Sequence, residues 1–144
     1  MLIKQISVFL ENKSGRLAEV TRVLGDNKID ISALSIADTT DFGILRIIVN
    51  RPEEAVGILK ENDFTVSCTD VIAISVQDKP GGLAAALDVL DKGGSIGIEY
   101  MYAFVGKAEN EALVILKTSD NDRAVTVLKD NGINVVPSGA VYKL

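Results

Sequence analysis

Residues 11–24 read ENKSGRLAEVTRVL, and residues 77–90 read QDKPGGLAAALDVL. In both stretches a polar, glycine-bearing turn leads into apolar residues at helical spacing. In both, a strand-like alternating run comes first: IKQISVF at 3–9 and VIAISV at 71–76. Gly15 and Leu17 match Gly81 and Leu83, and Leu24 matches Leu90, each 66 positions on. Further along, Ile29-Asp30-Ile31 matches Ile96-Gly97-Ile98, and Leu59 matches Leu128. A junction that returns with its order, turns and spacing intact marks an internal duplication.

Working outward gives the unit. In the first half, IKQISVF predicts a strand and RLAEVTRVL (16–24) a helix burying Leu17, Val20, Val23 and Leu24. IDISALSIA (29–37) returns to period two, DTTDFG (38–43) is turn-like, and ILRIIV (44–49) is a strand. RPEEAVGILKEND predicts a helix starting at Pro52, since proline suits a first helical turn. FTVSC (64–68) reads as a short final strand. In the second half, VIAISV, LAAALDVLDKG, GIEYMYAF, EALVILK and NDRAVTVLKDNG repeat strand, helix, strand, strand, helix, with GKAEN (106–110) a turn. Asp120 is the expected cap and Gly132 the expected stop of the last helix, and INVVPSG closes the unit. The expected fold is α+β: a duplicated ferredoxin-like βαββαβ unit, with antiparallel sheets carrying their helices on one face and joined side by side. The expected domains are 1–69 and 70–144. Apolar residues on both sides of LRIIV and ALVIL predict central, covered strands.

Composition narrows the function classes. With 47% hydrophobic residues in 144, a packed core is expected rather than disorder. The net charge is −5 and neither half is basic, which argues against nucleic acid and anionic membranes as partners. One cysteine excludes an intrachain disulfide and suits a reducing compartment. With no leader-like start and no apolar run long enough for a bilayer, the expected setting is the cytoplasm.

The sequence has no histidine, so histidine acid–base chemistry and histidine metal ligands are excluded. Cys68 lies in a predicted strand, where a buried structural thiol is expected. Asp38 with Asp41, and Asp120 with Asp122, sit where acids serve turns and helix starts, and neither forms a calcium-loop pattern. Glu53 and Glu54 favour a helix start. Arg46, inside an apolar strand, is expected at an edge or beside an acid. Nucleotide fingerprints are missing, and GGSIG (93–97) follows a helix rather than opening one. Tyr100, Tyr102 and Phe104 share one side of a strand, as core or interface. No catalytic residue, cofactor or metal is expected.

The junction loops remain. Gly81 and Gly82 permit tight turning and close approach of another group. The helix that follows leaves its first amides unpaired, and these donors suit a carboxylate. Asp78 or Asn12 could accept from a ligand ammonium. The same loop could equally cap its own helix. Loop chemistry alone leaves both readings open.

The pattern of strand, Asp/Asn-x-Pro/Ser-Gly-x-Leu, helix and Ile-x-Ile resembles the ACT domain, a small regulatory ligand-binding module. The resemblance covers the whole chain as two copies. The second keeps DKPGGLA, whereas the first has Asn12 for Asp and Ser14 for Pro. It implies a non-catalytic sensor that binds a free amino acid between modules. The implied site joins the loop after one first strand to the second strand of a facing module. One surface is Asn12, Lys13, Ser14, Gly15, Arg16 and Leu17, opposed by Ile98, Glu99, Tyr100 and Met101. The other is Asp78, Lys79, Pro80, Gly81, Gly82 and Leu83, opposed by Ile31, Ser32, Ala33 and Leu34. The departures in the first copy bear on pocket strength, so equal sites are not assumed and occupancy of one or both stays open. A homodimer and an unidentified regulated protein are the expected partners. A ligand-independent interaction module is the alternative, and a small enzyme the third reading.

Overall fold

The structure is a computed structural model that describes residues 2–11, 14–38, 42–104 and 110–143. The chain divides into two compact units, one built on Lys4–Thr69 and one on Asp70–Val141. The elements of the first are β1 (Ile3–Glu11), α1 (Arg16–Asp26), β2 (Ile31–Asp38), β3 (Phe42–Val49), α2 (Pro52–Glu61) and the start of β4 (Thr65–Gln77). The second holds the rest of β4, then α3 (Gly82–Lys92), β5 (Ile98–Ala103), β6 (Glu111–Thr118), α4 (Asn121–Asp130), β7 (Asn134–Val135) and α5 (Ser138–Val141).

In the first unit the strand order is β2-β3-β1-β4, with β3 antiparallel to both neighbours. Ile47 stands opposite Ile6 on one side and Leu34 on the other; Leu45 stands opposite Val8 and Ile36. Paired residues share a face, so Ile6, Val8, Leu10, Leu45, Ile47 and Val49 form one apolar surface. Val20 and Leu24 of α1 and Ala55 and Leu59 of α2 bury against it, placing both helices on one face. The second unit has β7 and β6 on either side of β4, and β5 beyond β6. There Ile72, Ile74, Val114 and Leu116 meet Ala86 and Leu90 of α3 and Ala124 and Leu128 of α4. Burying each such leucine contributes about 1.5–3 kcal/mol. Each unit thus has the ferredoxin-like antiparallel pattern, and β3 and β6 are the central strands expected of LRIIV and ALVIL.

The duplication extends to backbone detail. Gly15 precedes α1 at φ 87°, ψ −9°, and Gly81 precedes α3 at φ 86°, ψ −8°. Asp63 and Gly132, after α2 and α4, both have positive φ, at 65° and 77°. Before them, Asn62 and Asn131 each donate a side-chain N–H at 2.8 Å to the carbonyl four residues back. A register irregularity falls at Ser32 in β2 and at Glu99 in β5.

Several expectations need correction. FTVSC and VIAISV are not two strands but parts of one, β4, because residues 65–76 contain no glycine, proline or asparagine to break it. Leu17 is 39% exposed rather than buried; it sits in the first turn of α1, and the buried stripe begins at Val20. Cys68 is free and exposed, not a buried thiol. Arg46 lies in a central strand rather than at an edge, opposite Ser7 and Ser35. INVVPSG pairs only over Asn134–Val135; Val136 adds one hydrogen bond to Ala73 (2.8 Å), and Pro137, lacking an N–H, precedes the short α5. Asp120 does cap α4, accepting from the Arg123 N–H at 3.2 Å. Among the described residues no group of acids or Cys68 is placed to hold a metal ion, and Asp41 lies outside them. No helix among the described residues is long and apolar enough to cross a membrane.

Candidate functional site

The loop before α3 is built by short hydrogen bonds. After Gln77 ends β4, the Lys79 N–H donates back to Gln77 O at 2.9 Å and the Gly82 N–H to Lys79 O at 3.0 Å. The Asp78 N–H donates to Asn110 O at 3.0 Å, tying the loop to the start of β6. This tight path needs Gly81 in the left-handed region and leaves no room for a side chain at the next position. A Cβ on Gly82 would stand 2.0 Å from Gln77 O.

A consequence follows for α3. Gly81 occupies the cap position and supplies no side-chain acceptor, so no cap side chain engages the first helical amides. The same holds at Gly15 for α1. By contrast, α4 is capped by Asp120. At both junctions the cap residue itself offers no side-chain acceptor, and before α3 the loop backbone takes one helical amide, Gly82 N–H donating to Lys79 O.

A pocket of about 450 Å³ opens beside the second loop, lined by residues 75–77, 79–82, 85 and 132–134. The first unit has its counterpart, about 340 Å³, lined by Phe9, Leu10, Glu11, Arg16, Phe42, Asp63 and Thr65. Six of these seven match second-unit lining positions through the repeat: Ser75, Val76, Gln77, Gly82, Gly132 and Asn134. The duplicated fold therefore carries a duplicated pocket. Its wall from the turn after the second helix, Asp63 and Thr65 or Gly132 and Asn134, is absent from the sequence reading. The signal was available, because strand order places the end of each unit's first strand beside the start of its last.

Of the expected site residues, Ser14, Gly15, Leu17, Asp78, Lys79, Pro80, Gly81 and Leu83 lie on exposed loop and first-turn positions, with Arg16 and Gly82 half-buried. Asn12 and Lys13 fall outside the described residues. Leu17 and Leu83 place matching exposed leucines beside the two loops. In β2, Ile31 and Ser32 are half-buried, Ala33 is buried and Leu34 exposed; the Ser32 hydroxyl donates to Ile48 O at 3.3 Å. In β5, Ile98, Tyr100 and Met101 are half-buried, and Glu99 pairs with Lys117 at 3.2 Å. None of these eight strand residues lines either loop pocket.

The repeated loop, the repeated fold and the match of the family model for an ACT domain pair over residues 1–144 agree. The chain belongs to the ACT domain pair family. This ACT domain pair is 46% identical to protein BT0572 from Bacteroides thetaiotaomicron, over 100% of this chain and 98% of that one, with a TM-score of 0.94. It also shares its fold with the ligand-free regulatory subunit of aspartate kinase from Thermus thermophilus: TM-score 0.64, 15% identity, 91% of this chain and 94% of that one. Aspartate kinase from Synechocystis matches at TM-score 0.57 and 19% identity, over 95% of this chain but 28% of the enzyme. No functionally curated protein matches the sequence. Family membership places the ACT domain pair among regulatory rather than catalytic modules.

Proposed function

We propose that this ACT domain pair is a sensor that binds a free amino acid at the loop preceding α3. The observation that supports it most is the start of α3 on a left-handed glycine with no cap side chain, at the wall of a pocket, in the same unit where α4 is capped by its own aspartate. Amides at a helix start favour a carboxylate; Asp78, in the same loop but outside the pocket lining, enters as the acceptor for an ammonium group on the family pattern alone. A pocket of about 450 Å³ lies within the usual range for small ligands, about 300–1,000 Å³. The family pattern adds an opposite wall from the second strand of a facing module, which brings residues 31–34 and 98–101 into the proposal on that ground alone. Side-by-side joining of modules, a cytoplasmic setting and a regulated protein partner belong to the same proposal. The mechanism is linkage: a ligand that grips one arrangement of the modules stabilises that arrangement.

A second reading, a ligand-independent interaction module, draws on a different observation. β2 is an outer strand of its unit, and Leu34 and Ile36 on it are 42% and 46% exposed. An apolar edge of this kind is suited to pairing with a second copy. Melting curves with each of the twenty common amino acids separate the two. At a hundred times its Kd, a ligand stabilises the folded chain by about 2.7 kcal/mol, a shift of several degrees. The sensor reading expects that response from one or a few amino acids. An unchanged melting point with all twenty at millimolar concentration favours the interaction module.

A further inference from the structure

The two pockets occupy equivalent places but differ in volume and lining, about 340 Å³ in the first unit and about 450 Å³ in the second. In the second unit the loop itself, residues 79–82, forms part of the wall. In the first unit Arg16 is in the wall, whereas Ser14 and Gly15 are not. The Arg16 guanidinium lies over the Phe64 ring, 4.6 Å from its centroid, and pairs with Glu19 at 2.9 Å. Its Nε is buried and without a hydrogen-bond partner. The repeat puts Gly82, Ile133 and Ala85 where the first unit has Arg16, Phe64 and Glu19. The side chain and both groups that hold it are thus missing together. Gly82 cannot regain a side chain without displacing the loop, because its Cβ would collide with Gln77 O. The lack of a side chain at this position in the second unit is built into its backbone.

We propose that Arg16, held in the wall of its pocket by Phe64 and Glu19, obstructs the first copy of the loop site and leaves the second copy as the one that takes ligand. This rests on the amino-acid-binding reading and deepens it by assigning occupancy. A planar guanidinium stacked on an aromatic ring and paired with a carboxylate keeps a fixed position better than a free side chain. An incoming amino acid at this loop must displace it, whereas at Gly82 it meets no side chain.

The test is a nitrogen-15 NMR titration of the full chain with an equimolar mixture of the twenty common amino acids. The Gly81, Gly82 and Leu83 amides are expected to shift saturably, and those of Gly15, Arg16 and Leu17 to stay in place. In Arg16→Ala, the amides at positions 15–17 are expected to shift as well. Arg16→Gln, which neither pairs with Glu19 as a cation nor stacks as one, is expected to behave the same way and serves if the alanine variant folds poorly. If the wild-type amides at 15–17 shift and Arg16→Ala abolishes that response, Arg16 is a ligand-binding group and the proposal is wrong. If both variants leave 15–17 silent while 81–83 respond, Arg16 is not what obstructs the site and the proposal is also wrong. If no amide responds at either loop in any of the proteins, the amino-acid-binding reading itself fails.

Discussion

The guanidinium of Arg16, at the first position of α1, stands 4.6 Å from the ring centroid of Phe64, just before β4. Two strands and a helix separate these residues in sequence, yet they meet because the first and last strands of the unit are neighbours. The contact and the Arg16–Glu19 pair contribute modestly to stability. A partly exposed cation–π contact contributes about 0.5–1 kcal/mol, and an i,i+3 ion pair about 0.2–0.5. Arg16→Ala is expected to lower stability by about 1 kcal/mol, read as a shift in the urea midpoint with unchanged slope. Gly82→Ala adds far less bulk at the equivalent position, but its Cβ meets Gln77 O at 2.0 Å. It is expected to cost more, about 1–3 kcal/mol. A smaller loss for Gly82→Ala than for Arg16→Ala would show that the two loops do not differ as described.

Gly15 and Gly81 share their dihedral angles within a degree or so, and a Cβ at either has nothing within 4 Å to meet. Replacing either with alanine therefore carries only the left-handed backbone penalty, about 1–2 kcal/mol. The two losses are expected to agree within about 0.5 kcal/mol and to add in the double variant, as for independent sites. Urea unfolding of the two single variants and the double checks this; a loss at only one glycine would contradict the backbone equivalence.

Asp120 is the one cap of this group that works through its side chain. Asp120→Ala is expected to cost about 1 kcal/mol, and Asp120→Asn to retain most of the stability, because the asparagine oxygen still accepts from the Arg123 N–H. The measurement is again the urea midpoint. Since α4's cap is not part of the loop pocket, ligand affinity is expected to be unchanged.

Much of this architecture was legible because the chain states it twice. Apolar periodicity located both helix pairs, Pro52 and Asp120 marked two helix starts, and the matched Gly15 and Gly81 identified the junctions. The failures have local causes. Nothing in residues 65–76 breaks a strand, so β4 runs through the point where the duplication suggested a gap. Leu17 has the spacing of a core residue but sits in the helix's first turn, where spacing does not measure depth. Strand membership alone predicts a buried Cys68, but it does not say which positions are covered. At the site, the glycines were visible but half of the pocket was not. Asp63 and Gly132 reach it from the turn after the second helix and Thr65 and Asn134 from the start of the last strand, and the Arg16–Phe64 contact depends on strand order rather than on neighbouring sequence.

The central claim, that the loop before α3 holds an amino acid, is tested most directly by calorimetric titration of the wild-type chain and Gly81→Val, using the amino acid that raises the melting point most. Valine strongly disfavours the left-handed conformation that Gly81 adopts, so the loop and the helix start beside the pocket are displaced. With circular dichroism showing both proteins folded, the account predicts saturable binding by the wild type and at least a roughly tenfold weaker Kd for the variant, about 1.4 kcal/mol. Equal affinities in the two proteins would contradict it.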